Sequence, residues 1–154
     1  MKIFVGTDHA GFELKQKLVP FLESLGHEVV DKGALEFDAY DDYPDYVSLV
    51  AQEISKNPDS TKAQGIIIGG SGEGEAMCAN RFKNVRAMEY YGPHSNVSII
   101  KASRNDNDSN ILSLGARLIT EEEALKAVQD WLETPFSGNE RHVRRIAKLN
   151  NING

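Results

Sequence analysis

Hydrophobic and polar residues follow one another along this chain in blocks whose period switches between that of a strand and that of a helix. Residues 2–6, Lys2-Ile3-Phe4-Val5-Gly6, form a short apolar run closed by glycine, which predicts a strand buried on both faces. Leu14, Leu18, Phe21, Leu22 and Leu25 then recur at three- and four-residue spacings, predicting a helix that Gly26 stops. Pro20 falls inside that pattern and predicts a bend or a boundary. Residues 27–31 read as a second strand and 32–43 as a loop. Pro44 suits the first turn of a helix running to 56, with Val47, Val50, Ala51 and Ile54 facing inward. Gly65-Ile66-Ile67-Ile68-Gly69 is a third, wholly apolar strand, followed by a short helix carrying Met77 and Phe82. A fourth strand is expected over 85–90, a helix over 94–104 and a fifth strand over 111–114. Thr120 and the three glutamates after it form a capping box that starts a helix reaching 132. A basic helix over 139–149 ends the pattern.

Strands alternating with helices predict an α/β fold, with a parallel sheet covered on both faces. Ligands of such sheets bind at the carboxyl ends of the strands, and chemistry is expected there. The 154 residues fit one domain, 1–154, without repeats or linkers, and suffice to bury a core without disulfides or metals as staples. The single Cys78 excludes an internal disulfide framework and leaves no CxxC pair for zinc. A net charge of −6 argues against nucleic acid as partner. No apolar run approaches bilayer length and the first residues lack a signal-peptide layout, so a cytoplasmic protein is expected, with no membrane partner. Charge is uneven: acids crowd Glu36, Asp38, Asp41, Asp42 and Asp45, while bases cluster at Arg141, Arg144, Arg145 and Lys148. The acidic run is read as a solvated face.

Three places at or beyond strand ends could carry chemistry. Thr7-Asp8-His9-Ala10-Gly11 sets an acid beside an imidazole, which could serve sugar hydroxyls and a phosphate; Asp8 as a plain helix cap is the simpler reading of the pair alone. Gly69-Gly70-Ser71-Gly72-Glu73-Gly74-Glu75 is a loop whose N–H groups can converge on an anion, ahead of a helix beginning near Glu75. No Lys-Ser/Thr pair closes it as a P-loop, and Glu75 stands where a dinucleotide fingerprint needs its last glycine. Glu75 is the natural general base beside donors able to stabilise an enediolate, or else an acid that merely complements the helix dipole. Arg141 and Arg145, four apart on one helix face, match the oxygens of a phosphate, although a solvated face has the same pattern. Cys78, Met77 and Met88 are read as packing residues.

Taken in order, Gly6-Thr7-Asp8-His9-Ala10-Gly11-Phe12, Asp42-Tyr43-Pro44-Asp45-Tyr46, Gly69-Gly70-Ser71-Gly72-Glu73-Gly74, Asn107-Asp108-Ser109-Asn110, Leu114-Gly115-Ala116-Arg117 and Arg141-His142-Val143-Arg144-Arg145 resemble the type B ribose-5-phosphate isomerases and the related galactose-6-phosphate isomerase subunits. The resemblance covers nearly the whole chain. It implies a Rossmann-like three-layer sandwich with a five-stranded parallel sheet and an extending C-terminal helix. It also implies a homodimer whose sites are shared between subunits, with pairing into a tetramer left open. No metal and no other cofactor is implied; the partner is a small sugar phosphate. Asp8 and His9 would contact sugar and phosphate. Ser71, Gly70, Gly72 and Gly74 would hold the reacting oxygens, Asn107 a hydroxyl, and Arg117, Arg141 and Arg145 the phosphate.

Many members of that family place a catalytic Cys at the position of Gly69, whereas a subgroup uses a Glu just past the loop. Gly69 and Glu75 put this chain with the second group. The implied reaction is an aldose–ketose isomerisation through a cis-enediolate, with Glu75 moving a proton between C2 and C1 after ring opening. Ribose 5-phosphate is the leading substrate; a hexose 6-phosphate (allose or galactose type), or a non-catalytic sugar-phosphate sensor, are the alternatives. Glu73 would raise the pKa of Glu75 if the two lie close. One departure stands out. The family His that assists ring opening, just before the Asn of the Asn-Asp-x-Asn motif, is replaced by Asp106. Either Asp106 serves as base there, or another group opens the ring, or the substrate differs. His94, in a stretch longer than usual by about one helical turn, is the spare imidazole, with a surface role as its simpler reading.

Overall fold

A computed structural model describes residues 1–92 and 98–152. His94 lies outside the described residues. The expected alternation is present: β1 (Lys2–Thr7), α1 (Phe12–Ser24), β2 (Glu28–Asp31), α2 (Tyr43–Lys56), β3 (Ala63–Gly69), α3 (Glu73–Ala79), β4 (Ala87–Tyr90), α4 (Ile99–Asn107), β5 (Ile111–Gly115), α5 (Glu121–Glu133) and α6 (Glu140–Asn150). All strand pairs are parallel, in the order β2-β1-β3-β5-β4. From β1 the chain steps to β2 on one side, then crosses to β3 on the other. The carboxyl ends of β1 and β3 therefore flank the point where the winding reverses, the crevice in which such sheets bind ligands.

Two apolar layers sandwich the sheet. On one face Leu18 and Leu22 of α1, Ile100 of α4, and Ala124, Val128 and Trp131 of α5 pack on Ile3, Val5, Ile66, Ile68, Leu112 and Leu114. On the other, Val47, Val50, Ala51 and Ile54 of α2 and Ala79 of α3 pack on Phe4, Ile67 and Ile111. Strand β3 is buried along its whole length, as expected for the central strand of a doubly covered sheet, and each of its three isoleucines contributes about 1.5–3 kcal/mol by leaving water. Trp131, the sole tryptophan, is fully buried; its Nε1–H donates to Ser109 Oγ at 2.8 Å, and the Arg104 guanidinium lies over its ring.

An ionic latch ties the amino ends of β3, β4 and β5 together. Asp108, in the left-handed region at φ 47° that Asp tolerates, ends α4. Its carboxylate accepts from Arg86 Nη2 at 2.8 Å, Arg104 Nη1 at 2.8 Å and Ser60 Oγ at 2.6 Å. Both guanidinium groups are buried.

Several boundaries differ from the sequence expectation. Helix α1 runs unbroken through Pro20. That residue is exposed, on the side of the helix turned away from Leu18 and Leu22. Helix α3 begins at Glu73, two residues early, and stops before Phe82, which still packs on the core. Strand β4 starts at Ala87 rather than residue 85. Helix α4 continues past Arg104 to Asn107, because the latch caps its end. Met77 was expected to pack but is 62 % exposed, since α3 turns it away from the sheet.

Candidate active site

The carboxyl end of β1 is pinned to β3 by Thr7, whose Oγ1–H donates to the Ile68 carbonyl at 2.8 Å. Asp8 then caps a single 3-10 turn (His9–Gly11), its Oδ1 accepting from Ala10 N–H at 2.9 Å. The capping reading of Asp8 is thus correct, and the same buried carboxylate also stands 3.8 Å from His9 Nδ1 through its other oxygen. His9 is gripped twice by Asp41. Oδ1 of Asp41 accepts from the backbone N–H of His9 at 2.9 Å and lies 2.7 Å from its Nδ1. Phe37 stands edge-on to the imidazole, with centroids 6.4 Å apart. Asp41 is therefore no part of a solvated face: its side chain is 6 % exposed, because the loop after β2 folds back over the β1 turn.

The loop after β3 makes the other wall. Gly72 sits at φ 87°, a conformation side chains rarely adopt, and its carbonyl accepts from Ser113 Oγ at 2.6 Å. Glu73 N–H donates to Ser71 Oγ at 3.2 Å. Among the described residues, the N–H groups of Gly70, Ser71 and Gly74 have no internal acceptor, which leaves them free for an anion. Arg117 lies against Gly70 and the Tyr43 hydroxyl against Gly74. The turn after β5 is clipped to the loop by Ala116 N–H on the Gly69 carbonyl (2.9 Å) and Arg117 N–H on that of Gly70 (3.0 Å).

Glu75 is only 4 % exposed. Its carboxylate occupies the space over Gly69, where any Cβ would collide with it. A base at position 75 in this pose and a side chain at position 69 exclude each other, so the glycine is what admits the glutamate. Burial pushes the Glu75 carboxyl above the ordinary carboxylate range and the nearby charge of Asp8 adds to the shift, while the N–H groups of Glu75 and Gly72 oppose it. The carboxylate that acts on Glu75 is therefore Asp8, where the sequence pointed to Glu73; Glu73 is exposed.

Asp8, His9, Gly70, Ser71, Gly72, Gly74, Glu75 and Arg117 thus meet at one edge of the sheet. Asp106, Asn107, Arg141 and Arg145 do not join them within one chain. Asn107 precedes β5 and its carbonyl accepts from Arg86 Nε at 3.1 Å, just before β4, so it lies at the amino end. The five residues of β5 put the two groups roughly 13–16 Å apart along the strand. Asn107 and Arg145 line a cavity of about 650 Å³ between the approach to β4 and helix α6. Asp106, its side chain 43 % exposed, accepts from Asn105 Nδ2 at 2.6 Å. Its carbonyl is 2.7 Å from Nδ1 of the buried His142, whose Nε2 accepts from Arg141 Nε at 2.8 Å. His142 is therefore the peg that docks α6.

Sequence reasoning passed over Asp41, hidden in an acidic run, and gave Tyr43 no role although it stands in a quoted motif. Ligating atoms of Asp8, His9 and Asp41 lie within 4.8 Å of one another, the one such trio among the described residues. The His9 nitrogen nearest the acids is already satisfied by Asp41, so the trio is complete as a hydrogen-bonded unit.

Residues 3–149 match the profile of the family described as Ribose/Galactose Isomerase. A ribose-5-phosphate isomerase B of Mycolicibacterium paratuberculosis is 39% identical over 146 residues, covering 95% of this chain and 87% of the relative. The crystal structure of ribose-5-phosphate isomerase B from Mycoplasma genitalium with bound ribulose-5-phosphate superposes with a TM-score of 0.89 at 39% identity, covering 97% of this chain and 93% of that one. The Clostridium thermocellum ribose-5-phosphate isomerase B structure gives 0.88 at 36% identity, covering 99% and 97%.

Proposed function

The chain belongs to the ribose/galactose isomerase family, and from that premise we propose that it interconverts ribose 5-phosphate and ribulose 5-phosphate through a cis-enediolate. One observation carries the reading: a carboxylate with a raised pKa, seated over Gly69, beside three N–H groups that find no acceptor among the described residues. With the sugar open, Glu75 takes the proton from C2. The C2–H electron pair forms the C1–C2 double bond, and the carbonyl pair moves onto O1. The N–H groups of Gly70, Ser71 and Gly74 and the Ser71 hydroxyl bind the developing oxyanion; the hydroxyl proton of O2 passes to O1, the O2 electron pair forms the C2=O2 bond, and the C1–C2 double-bond pair takes the proton back from Glu75 at C1. A pKa above that of a free carboxyl brings the base nearer the working pH and strengthens it.

Phosphate binding falls to Arg117 of the same chain and to Arg141 and Arg145 of a second copy, with Asn107 of that copy on a hydroxyl. The split between the two ends of the sheet supports this shared site, as do the exposed apolar residues Val143, Leu149 and Ile152 of the C-terminal segment. A homodimer is the smallest assembly that completes it, and dimers pairing into a tetramer are compatible with it. No described helix is long and apolar enough to cross a membrane; we place the enzyme in the cytoplasm.

The test is a panel of pentose and hexose phosphates in deuterated water. Deuterium should enter ribulose 5-phosphate at C1 and ribose 5-phosphate at C2, and Glu75→Gln should abolish both. Exchange with a hexose 6-phosphate alone would reassign the substrate, and no exchange with any would leave a binding protein.

A further inference from the structure

Helix α6 carries Arg141 and Arg145, the phosphate-binding groups that a second copy brings to the crevice, and of its eleven residues only His142 is buried. We propose that His142 is a positioning residue for the isomerase: it docks α6 on the end of α4 and sets Arg141 for the substrate phosphate. The assignment rests on the isomerase reading above. The partners of the ring fix its state, because a carbonyl only accepts and a guanidinium only donates. Nδ1 lies 2.7 Å from the Asp106 carbonyl oxygen and Nε2 lies 2.8 Å from Arg141 Nε. Only a neutral imidazole with its proton on Nδ1 satisfies both at once.

The last turn of a helix leaves carbonyls without donors of its own. In α4 each of the final three accepts from another segment: Asn105 from Ser137 N–H at 3.0 Å, Asp106 from the His142 ring and Asn107 from Arg86 Nε at 3.1 Å. Two of those donors belong to α6 and the residues leading into it. The helix end that carries Asn107 and the helix start that carries Arg141 are thereby held as one corner. The bond to the ring engages only the backbone of residue 106, and so leaves the side chains of Asp106 and Asn107 uncommitted by it. Arg141 is fixed twice, its backbone N–H donating to the capping Asn139 Oδ1 at 3.1 Å and its Nε–H to His142. Its two Nη groups have no partner among the described residues, and this end-on pair matches two oxygens of a phosphate. A long side chain ordered before the ligand arrives does not have to be ordered by it, and binding is tighter for that reason.

A double-mutant cycle separates this role from a merely structural one. Asparagine at 142 carries an amide nitrogen at the δ position, so it keeps the donor to the Asp106 carbonyl and removes the acceptor for Arg141. In His142→Asn, KM for ribose 5-phosphate and the inhibition constant of inorganic phosphate should both rise about threefold to tenfold, with kcat within twofold of the parent. In an Arg141→Ala background the same change should move neither constant by more than twofold, since the effect passes through Arg141. Constants that stay at the parent values in His142→Asn, a fall in kcat with KM unchanged, or effects that simply multiply in the double variant would each overturn the proposal. If His142→Asn does not fold, His142→Gln decides: its amide oxygen restores an acceptor at the ε position, KM should stay within threefold of the parent, and a larger rise overturns the proposal. Should Arg141→Ala leave KM unchanged, Arg141 holds no phosphate and the proposal falls while the isomerase reading stands. A parent enzyme that turns over no sugar phosphate would remove that reading itself.

Discussion

Replacing Gly69 with alanine tests the site where its packing is tightest. A Cβ at that position would stand 2.5 Å from Oε2 of Glu75 and closer still to Oε1 and Cδ, whereas ordinary contact begins at 3.4 Å. Strand β3 is held on both sides by β1 and β5 and cannot give way. The carboxylate must therefore retreat by about 1 Å or more, and a misplacement of that size costs on the order of 10²-fold in rate. That corresponds to about 2.7 kcal/mol of lost transition-state stabilisation. Phosphate binding should be untouched, so kcat for ribose 5-phosphate should fall about a hundredfold with KM within threefold. Steady-state kinetics in both directions, with circular dichroism to confirm the fold, provide the measurement. If Gly69→Ala retained more than a third of the parent kcat while folded, Glu75 would not be working from the position over Gly69, and the steric argument would be wrong.

Two further outcomes follow from charges described above. The kcat/KM of the parent should show an acidic limb above the ordinary carboxylate range, because Glu75 acts only when ionised and its pKa is raised; Asp8→Asn should move that limb down, whatever it does to the absolute rate. The same shift has a stability sign: a carboxyl raised on folding favours the fold below its unfolded pKa and loses that contribution as pH rises through the folded value. Glu75→Gln should thus be inactive yet melt higher than the parent near neutral pH, its advantage vanishing in acid, as thermal scans against pH would show. In the latch, Asp108→Ala leaves Arg86 and Arg104 buried without their counter-charge and should cost about 3–5 kcal/mol in urea unfolding; a loss under 1 kcal/mol would mean water replaces the carboxylate.

Much of this molecule could be read before any coordinates. The five strands follow from apolar runs such as Ile66-Ile67-Ile68, which only a doubly covered sheet accommodates, and α5 from its capping box, present with both reciprocal bonds. The glycine-rich loop and Glu75 were visible because their chemistry is local in sequence. Asp41 was not, since its partner is 32 residues away and nothing in a run of acids marks the one that a returning loop will bury. Nor was the influence of Asp8 on Glu75, which depends on two strand ends meeting. Pro20 misled for the opposite reason: local propensity argued for a break, and packing of Leu18 and Leu22 on either side of it overrode the local cost. The separation of Asn107, Arg141 and Arg145 from the base is likewise a property of topology, set by which end of β5 each element joins.

The buried indole of residue 131 gives the protein an optical reporter of its own. It is remote from the crevice, stacked beneath one arm of the ionic latch and hydrogen-bonded to Ser109. Its emission therefore registers loosening of the sheet's amino end and stays silent to changes at the base. A variant that is dark in catalysis but unaltered in fluorescence has lost its chemistry and kept its architecture, with no label needed to tell the two apart.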